Sequence, residues 1–67
     1  MRLEYRGFCI CLNEAGSRTA ELIEVATGAL VPTKVVARPG ESLRELAVRA
    51  RRLADIYAGD RPEVRAN

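Results

Sequence analysis

Ser42 and Glu45 stand three residues apart at the head of a run in which Leu43, Leu46, Ala47, Ala50, Leu53, Ala54 and Tyr57 recur at spacings of three and four. That recurrence draws one apolar stripe down an α-helix. The Ser-x-x-Glu pair has the spacing of a capping box: the serine oxygen meets the backbone at Glu45, and Glu45 reaches back. Gly59 is placed to stop the helix. A chain of 67 residues that offers a single helix, late in its sequence, must lay that stripe on something built from the residues before it.

Those residues read as strands. Leu3 to Leu12 is the first, with Phe8, Ile10 and Leu12 on one face and Tyr5, Gly7, Cys9 and Cys11 on the other. Its second half is apolar on both faces, as in a strand covered from both sides. Asn13 to Arg18 is a polar loop with Gly16 as its bend. A second strand runs from about Thr19 to Ala26, Ile23 and Val25 facing one way, Ala20, Leu22 and Ala26 the other. Thr27-Gly28 marks a tight hairpin. A third strand runs from about Ala29 to Ala37 and contains Pro32, which cannot donate to a ladder and therefore puts this strand at an edge or bulges it.

The predicted fold is α+β: a three-stranded antiparallel β-meander, order 1-2-3, followed by one C-terminal α-helix packed on one sheet face. It occupies residues 1–59, with 60–67 as a flexible tail. The predicted sheet core is Phe8, Ile10, Leu12, Ile23 and Val25. With no second helix, the other face, carrying Tyr5, Cys9, Cys11 and Leu22, is left uncovered, and apolar patches of that kind tend to be interfaces. A core this small rarely supplies more than roughly 3–5 kcal/mol, a further reason to expect association. Those four residues are the candidate interface for a homodimer or another protein partner. The first strand pairs there with its own copy, or the free faces stack.

Chemistry is harder to place. Histidine is absent, which removes the commonest general base and metal ligand. Cys9 and Cys11 sit too far apart along a strand for an unstrained bridge, so they read as free thiols suited to a reducing cytosol. Two thiols fall short of a four-ligand structural zinc. The carboxylates are scattered, the hydroxyls lack a base, and the glycines never form a phosphate loop. No catalytic residue, cofactor, metal or small-molecule substrate is expected. No stretch approaches the ~20 apolar residues of a membrane span, and no signal-peptide core follows Met1-Arg2-Leu3-Glu4.

Ten of the eleven basic residues are Arg, yet the net charge is only +2. Arg38, Arg44, Arg49, Arg51 and Arg52 cluster on and before the helix. They read as a solvated surface with i, i+4 pairs Glu45–Arg49 and Arg51–Asp55. The alternative is a weak nucleic-acid-binding face built from those five arginines. Val48 and Ile56 share the polar side of the helix, as scattered apolar residues or as a narrow helix-helix seam.

The βββα order, over about Tyr5 to Tyr57, is similar in topology to the double-stranded-RNA-binding domain and to the arm-type DNA-binding domain of phage integrases. The likeness implies a fold and no more. Where the RNA-binding family opens its last helix with a lysine pair, Ser42-Leu43-Arg44-Glu45-Leu46-Ala47 offers one Arg and an opposing Glu. Where the integrase-like sheet presents Arg, Lys and aromatics, this free face is predicted to present Cys, Leu and one Tyr.

Overall fold

A computed structural model describes residues 1–14, 16 and 18–59. Five elements follow one another: β1 (Arg2–Tyr5), β2 (Phe8–Asn13), β3 (Thr19–Glu24), β4 (Val35–Val36) and α1 (Leu43–Gly59). The strands form one antiparallel sheet in the order β1-β2-β3-β4. The helix lies on one of its faces, so the α+β class holds. The tail expected at 60–67 lies outside the described residues. Among those described, no helix is long and apolar enough to cross a membrane.

The predicted first strand is two strands. Arg6 and Gly7 both take positive φ, 52° and 84°. That is the requirement of a two-residue type I′ turn, whose twist matches that of the flanking strands. The chain therefore reverses at Arg6-Gly7, and Tyr5 pairs with Phe8. Directly paired residues share a face, so Tyr5 and Leu3 join Phe8 and Ile10 on the helix side instead of following Cys9. β2 consequently lies inside the sheet, between β1 and β3, with β1 as the edge.

A second difference is the parity of β3. Ile10 pairs with Leu22 and Leu12 with Ala20. Ala20 and Leu22 are thus buried beneath the helix, both at 0% exposure, while Ile23 turns to the outer face and Val25 lies exposed in the turn that follows. A one-residue change of parity exchanges every side chain between faces. The pattern Thr-Ala-Glu-Leu-Ile-Glu carries one Glu on each face, so alternation alone does not decide between them.

Residues Val25 to Gly28 connect β3 to the returning chain, closed by the Glu24 N–H donating to the Ala29 carbonyl at 2.8 Å. Gly28, with φ 75°, supplies the left-handed residue. Pro32 interrupts the return. Ile23 bridges Leu30 and Ala20 pairs Val35, so three steps of β3 face five of the other segment, and the extra residues bulge outward around the proline. Only Val35 and Val36 then regain strand geometry, at the edge.

The core joins Phe8, Ile10 and Leu12 from β2 and Ala20 and Leu22 from β3 to Leu46, Ala47, Ala50 and Ala54 of the helix, with Val31 beside them. Three of the four buried helix residues are Ala. Their small side chains let the helix lie close to the sheet. The capping box is formed: the Glu45 N–H donates to Ser42 Oγ at 3.1 Å, and the Ser42 N–H to Glu45 Oε1 at 2.9 Å.

Candidate functional site

Among the described residues, no helix lies against the outer face of the sheet. Cross-strand pairing arranges its side chains in rows: Glu4, Cys9, Ile23 and Leu30; then Arg2, Cys11 and Glu21; then Asn13, Thr19 and Val36. Leu30 and Val36 are 58% and 52% exposed, and Cys9, Cys11 and Ile23 are half-buried. The middle of the face is therefore apolar. Its charged residues, Arg2, Glu4, Glu21 and Lys34, balance in sign, and Lys34 Nζ lies 3.6 Å from Glu21 Oε2.

Of the four residues expected at the interface, Cys9 and Cys11 lie on this face. Tyr5 and Leu22 do not. Leu22 is in the core through its pairing with Ile10, and Tyr5 is carried to the helix side by the Arg6-Gly7 turn. Ile23, Leu30 and Val36 take their place. A signal for the first correction was present in Gly7, an interior strand glycine of the kind that often marks a bend. No comparable signal distinguishes Leu22 from Ile23.

The two thiols are free, with their sulfurs 3.9 Å apart. Burial, and then the contact with Cys9, push the Cys11 thiol above its ordinary pKa. A thiol so placed is a poor nucleophile at neutral pH. Among the described residues, no three His, Cys, Asp or Glu side chains come together as a metal site.

The helix side is organised by two carboxylates. Asp55 Oδ1 accepts from Arg6 Nη1 at 2.9 Å and from the Tyr5 hydroxyl at 2.8 Å, fastening the first hairpin to the helix. Those bonds, that of Arg6 foremost, hold the Asp55 carboxyl below its usual range. The same bond to a carboxylate raises the Tyr5 phenol. Glu41, buried, accepts the Arg38 N–H at 2.8 Å and Arg49 Nη1 at 2.6 Å on one oxygen. The Arg38 amide, supported by Arg49, lowers its pKa against the opposing effect of burial.

The five candidate arginines do not form one surface. Arg49 is tied to Glu41 and also donates to the Val36 carbonyl at 3.2 Å. With Arg38 and Arg52 it lines two adjoining depressions, one shared with Val48 and the other with Val35, Leu53 and Ile56. Arg44 and Arg51, seven residues apart, run down the other flank of the helix, Arg51 beside Tyr5. The predicted i, i+4 pairs are replaced by longer-range partners. Asp55 takes Arg6, Arg49 takes Glu41, and Glu45 is spent on the cap. Val48 lines the first of these depressions and Ile56, 61% exposed, the second.

No protein-family model matches this chain, and neither does any curated protein or solved structure. The functional reading rests on its own geometry.

Proposed function

We propose that this chain is a small non-catalytic interaction module that self-associates through its sheet. One observation carries the reading: among the described residues, one helix covers one face of a four-stranded sheet, and no element lies against the opposite face or the β1 edge. What lies open is suited to meeting its own copy. The outer face is apolar in the middle and balanced in charge, whereas the helix carries four Arg against Glu45 and Asp55 and would repel itself. Four short strands present roughly 300 Å² of face, from ~3.3 Å per residue and ~4.8 Å between strands. That is below the ~800 Å² per partner of a standard interface, so the complex is a weak one. The free thiols suit a reducing compartment. Nucleic-acid binding is less well supported, because the arginines divide between two flanks and Arg49 is already paired.

Sedimentation equilibrium over a wide concentration range, at two salt concentrations and with or without duplex nucleic acid, tests the proposal. The expected result is a reversible rise from 7.4 kDa toward twice that mass as concentration increases, unaffected by the duplex. A mass of 7.4 kDa throughout would refute self-association, and a mass shift that requires the duplex would favour the arginine surfaces.

A further inference from the structure

Resting on that reading, we infer that the contact is made at the β1 edge, by antiparallel pairing of β1 with β1 of a second copy about a two-fold axis at Leu3. Antiparallel pairs alternate between those that exchange both main-chain hydrogen bonds and those that exchange none. Met1 and Leu12 exchange both: the Leu12 N–H donates to the Met1 carbonyl at 2.8 Å, and the Met1 ammonium to the Leu12 carbonyl at 3.3 Å. Counting along the register, Leu3–Ile10 and Tyr5–Phe8 are also exchanging pairs, while Arg2–Cys11 and Glu4–Cys9 are not. The amides and carbonyls of Arg2 and Glu4 therefore point out of the sheet, from its outermost strand, and both residues are exposed.

Two such residues define how a second copy fits. With the axis at Leu3, Arg2 meets Glu4 of the second copy, and Glu4 meets its Arg2. Both are pairs of outward-facing residues, so each exchanges two main-chain bonds, and each sets opposite charges side by side on the outer face. The neighbouring registers fail on charge. Moving the axis to Arg2 sets arginine against arginine, and moving it to Glu4 sets glutamate against glutamate.

The helix side of the seam agrees with the same register. There Leu3 meets Leu3, and Met1, 71% exposed in the single chain, lies across from Tyr5 of the second copy. A thioether beside an aromatic ring is a favourable contact. The helix packs chiefly on β2, β3 and β4, and its bond to β1 is the one from the Tyr5 hydroxyl to Asp55. The opposite edge is unsuited: β4 is two residues long, next to the Pro32 bulge and Lys34. The product is one continuous sheet of eight strands.

The test uses charge exchange at exposed positions. Arg2→Glu leaves two acids on the edge and Glu4→Arg two bases, so each variant alone is expected to stay monomeric at concentrations where the parent dimerises. Mixed in equal amounts, they are expected to recover the dimer, because every cross-pair is again opposite in sign. Thermal melts of each variant establish that the fold is kept. Single variants that dimerise like the parent, while Ile23→Glu abolishes the dimer, would overturn the edge and leave self-association standing through the outer face. Single variants that are monomeric and do not recover on mixing would overturn this register. A parent that stays monomeric removes both the edge and the proposal beneath it.

Discussion

Leu22 and Ile23 are adjacent, similar in size and opposite in fate. Leu22 is fully buried between Ile10 and the helix, and Ile23 is half-exposed on the bare face. Truncation measures that difference directly. Leu22→Ala is expected to cost about 2–5 kcal/mol, as the loss of a core side chain that its surroundings only partly refill. Ile23→Ala is expected to cost about 1 kcal/mol or less. Urea denaturation of the two variants should separate them clearly, and equal losses would mean that the parity of β3 is wrong. Arg6 belongs to the same scale. A non-glycine residue at φ 52° is unfavourable by roughly 1–2 kcal/mol. Here its guanidinium is anchored on Asp55, and the turn places Tyr5 to share that carboxylate.

Among the elements, the helix was the most legible. Its stripe, its start at the Ser42 cap and its extent to Gly59 all follow from the sequence, because period and capping chemistry are local properties. Ser42→Ala removes the hydroxyl that accepts from the Glu45 N–H and is expected to cost about 0.5–2 kcal/mol. Ser42→Asp, which keeps an acceptor, should lose little. Thermal denaturation of both checks this, and equal melting of parent and Ser42→Ala would show that the cap is not made in solution. The strands were less legible. Leu3 to Leu12 contains its own reversal, and an Arg-Gly turn is a weaker signal than Asn-Gly. The interruption at Pro32 was readable because proline's missing N–H is also local.

At the scale of the whole molecule, α1 is fastened to the rest by Asp55, Glu41 and a third link, between the Tyr57 hydroxyl and Thr33 Oγ1 at 3.0 Å. Arg18 adds a bond from its Nη1 to the Glu41 carbonyl at 2.8 Å, joining the start of β3 to the helix entry. Both carboxyls have folded-state pKa values below their ordinary ones. Such groups stabilise the fold above the unfolded carboxylate pKa, near 4, and the contribution is lost as pH falls through the lower folded values. Melting temperature is thus expected to drop steeply below about pH 4. A variant carrying Glu41→Gln and Asp55→Asn should melt lower at pH 7 and show a shallower acid slope. An unchanged slope would mean that these two carboxylates do not hold the helix to the sheet. Tyr5 acts at the other extreme: its raised pKa contributes stability below the ordinary phenol value, near 10, that is lost as pH rises through the folded value.

The sequence by itself determined the elements whose causes lie within a few residues: one capped amphipathic helix, a run of strands before it, a break at Pro32 and the α+β class. It also placed Phe8, Ile10 and Leu12 in the core and Cys9 and Cys11 away from it. Only the tertiary structure decided which half of Thr19–Glu24 faces the helix, because alternation is symmetric until a partner strand fixes the register. Tyr5 changed sides for a related reason, since one tight turn reverses the strand and sets it against Phe8. The salt bridges were decided in the same way. Asp55 and Glu41 find Arg6 and Arg49 across 49 and 8 residues, and spacing along a helix carries no trace of partners that the fold brings from elsewhere.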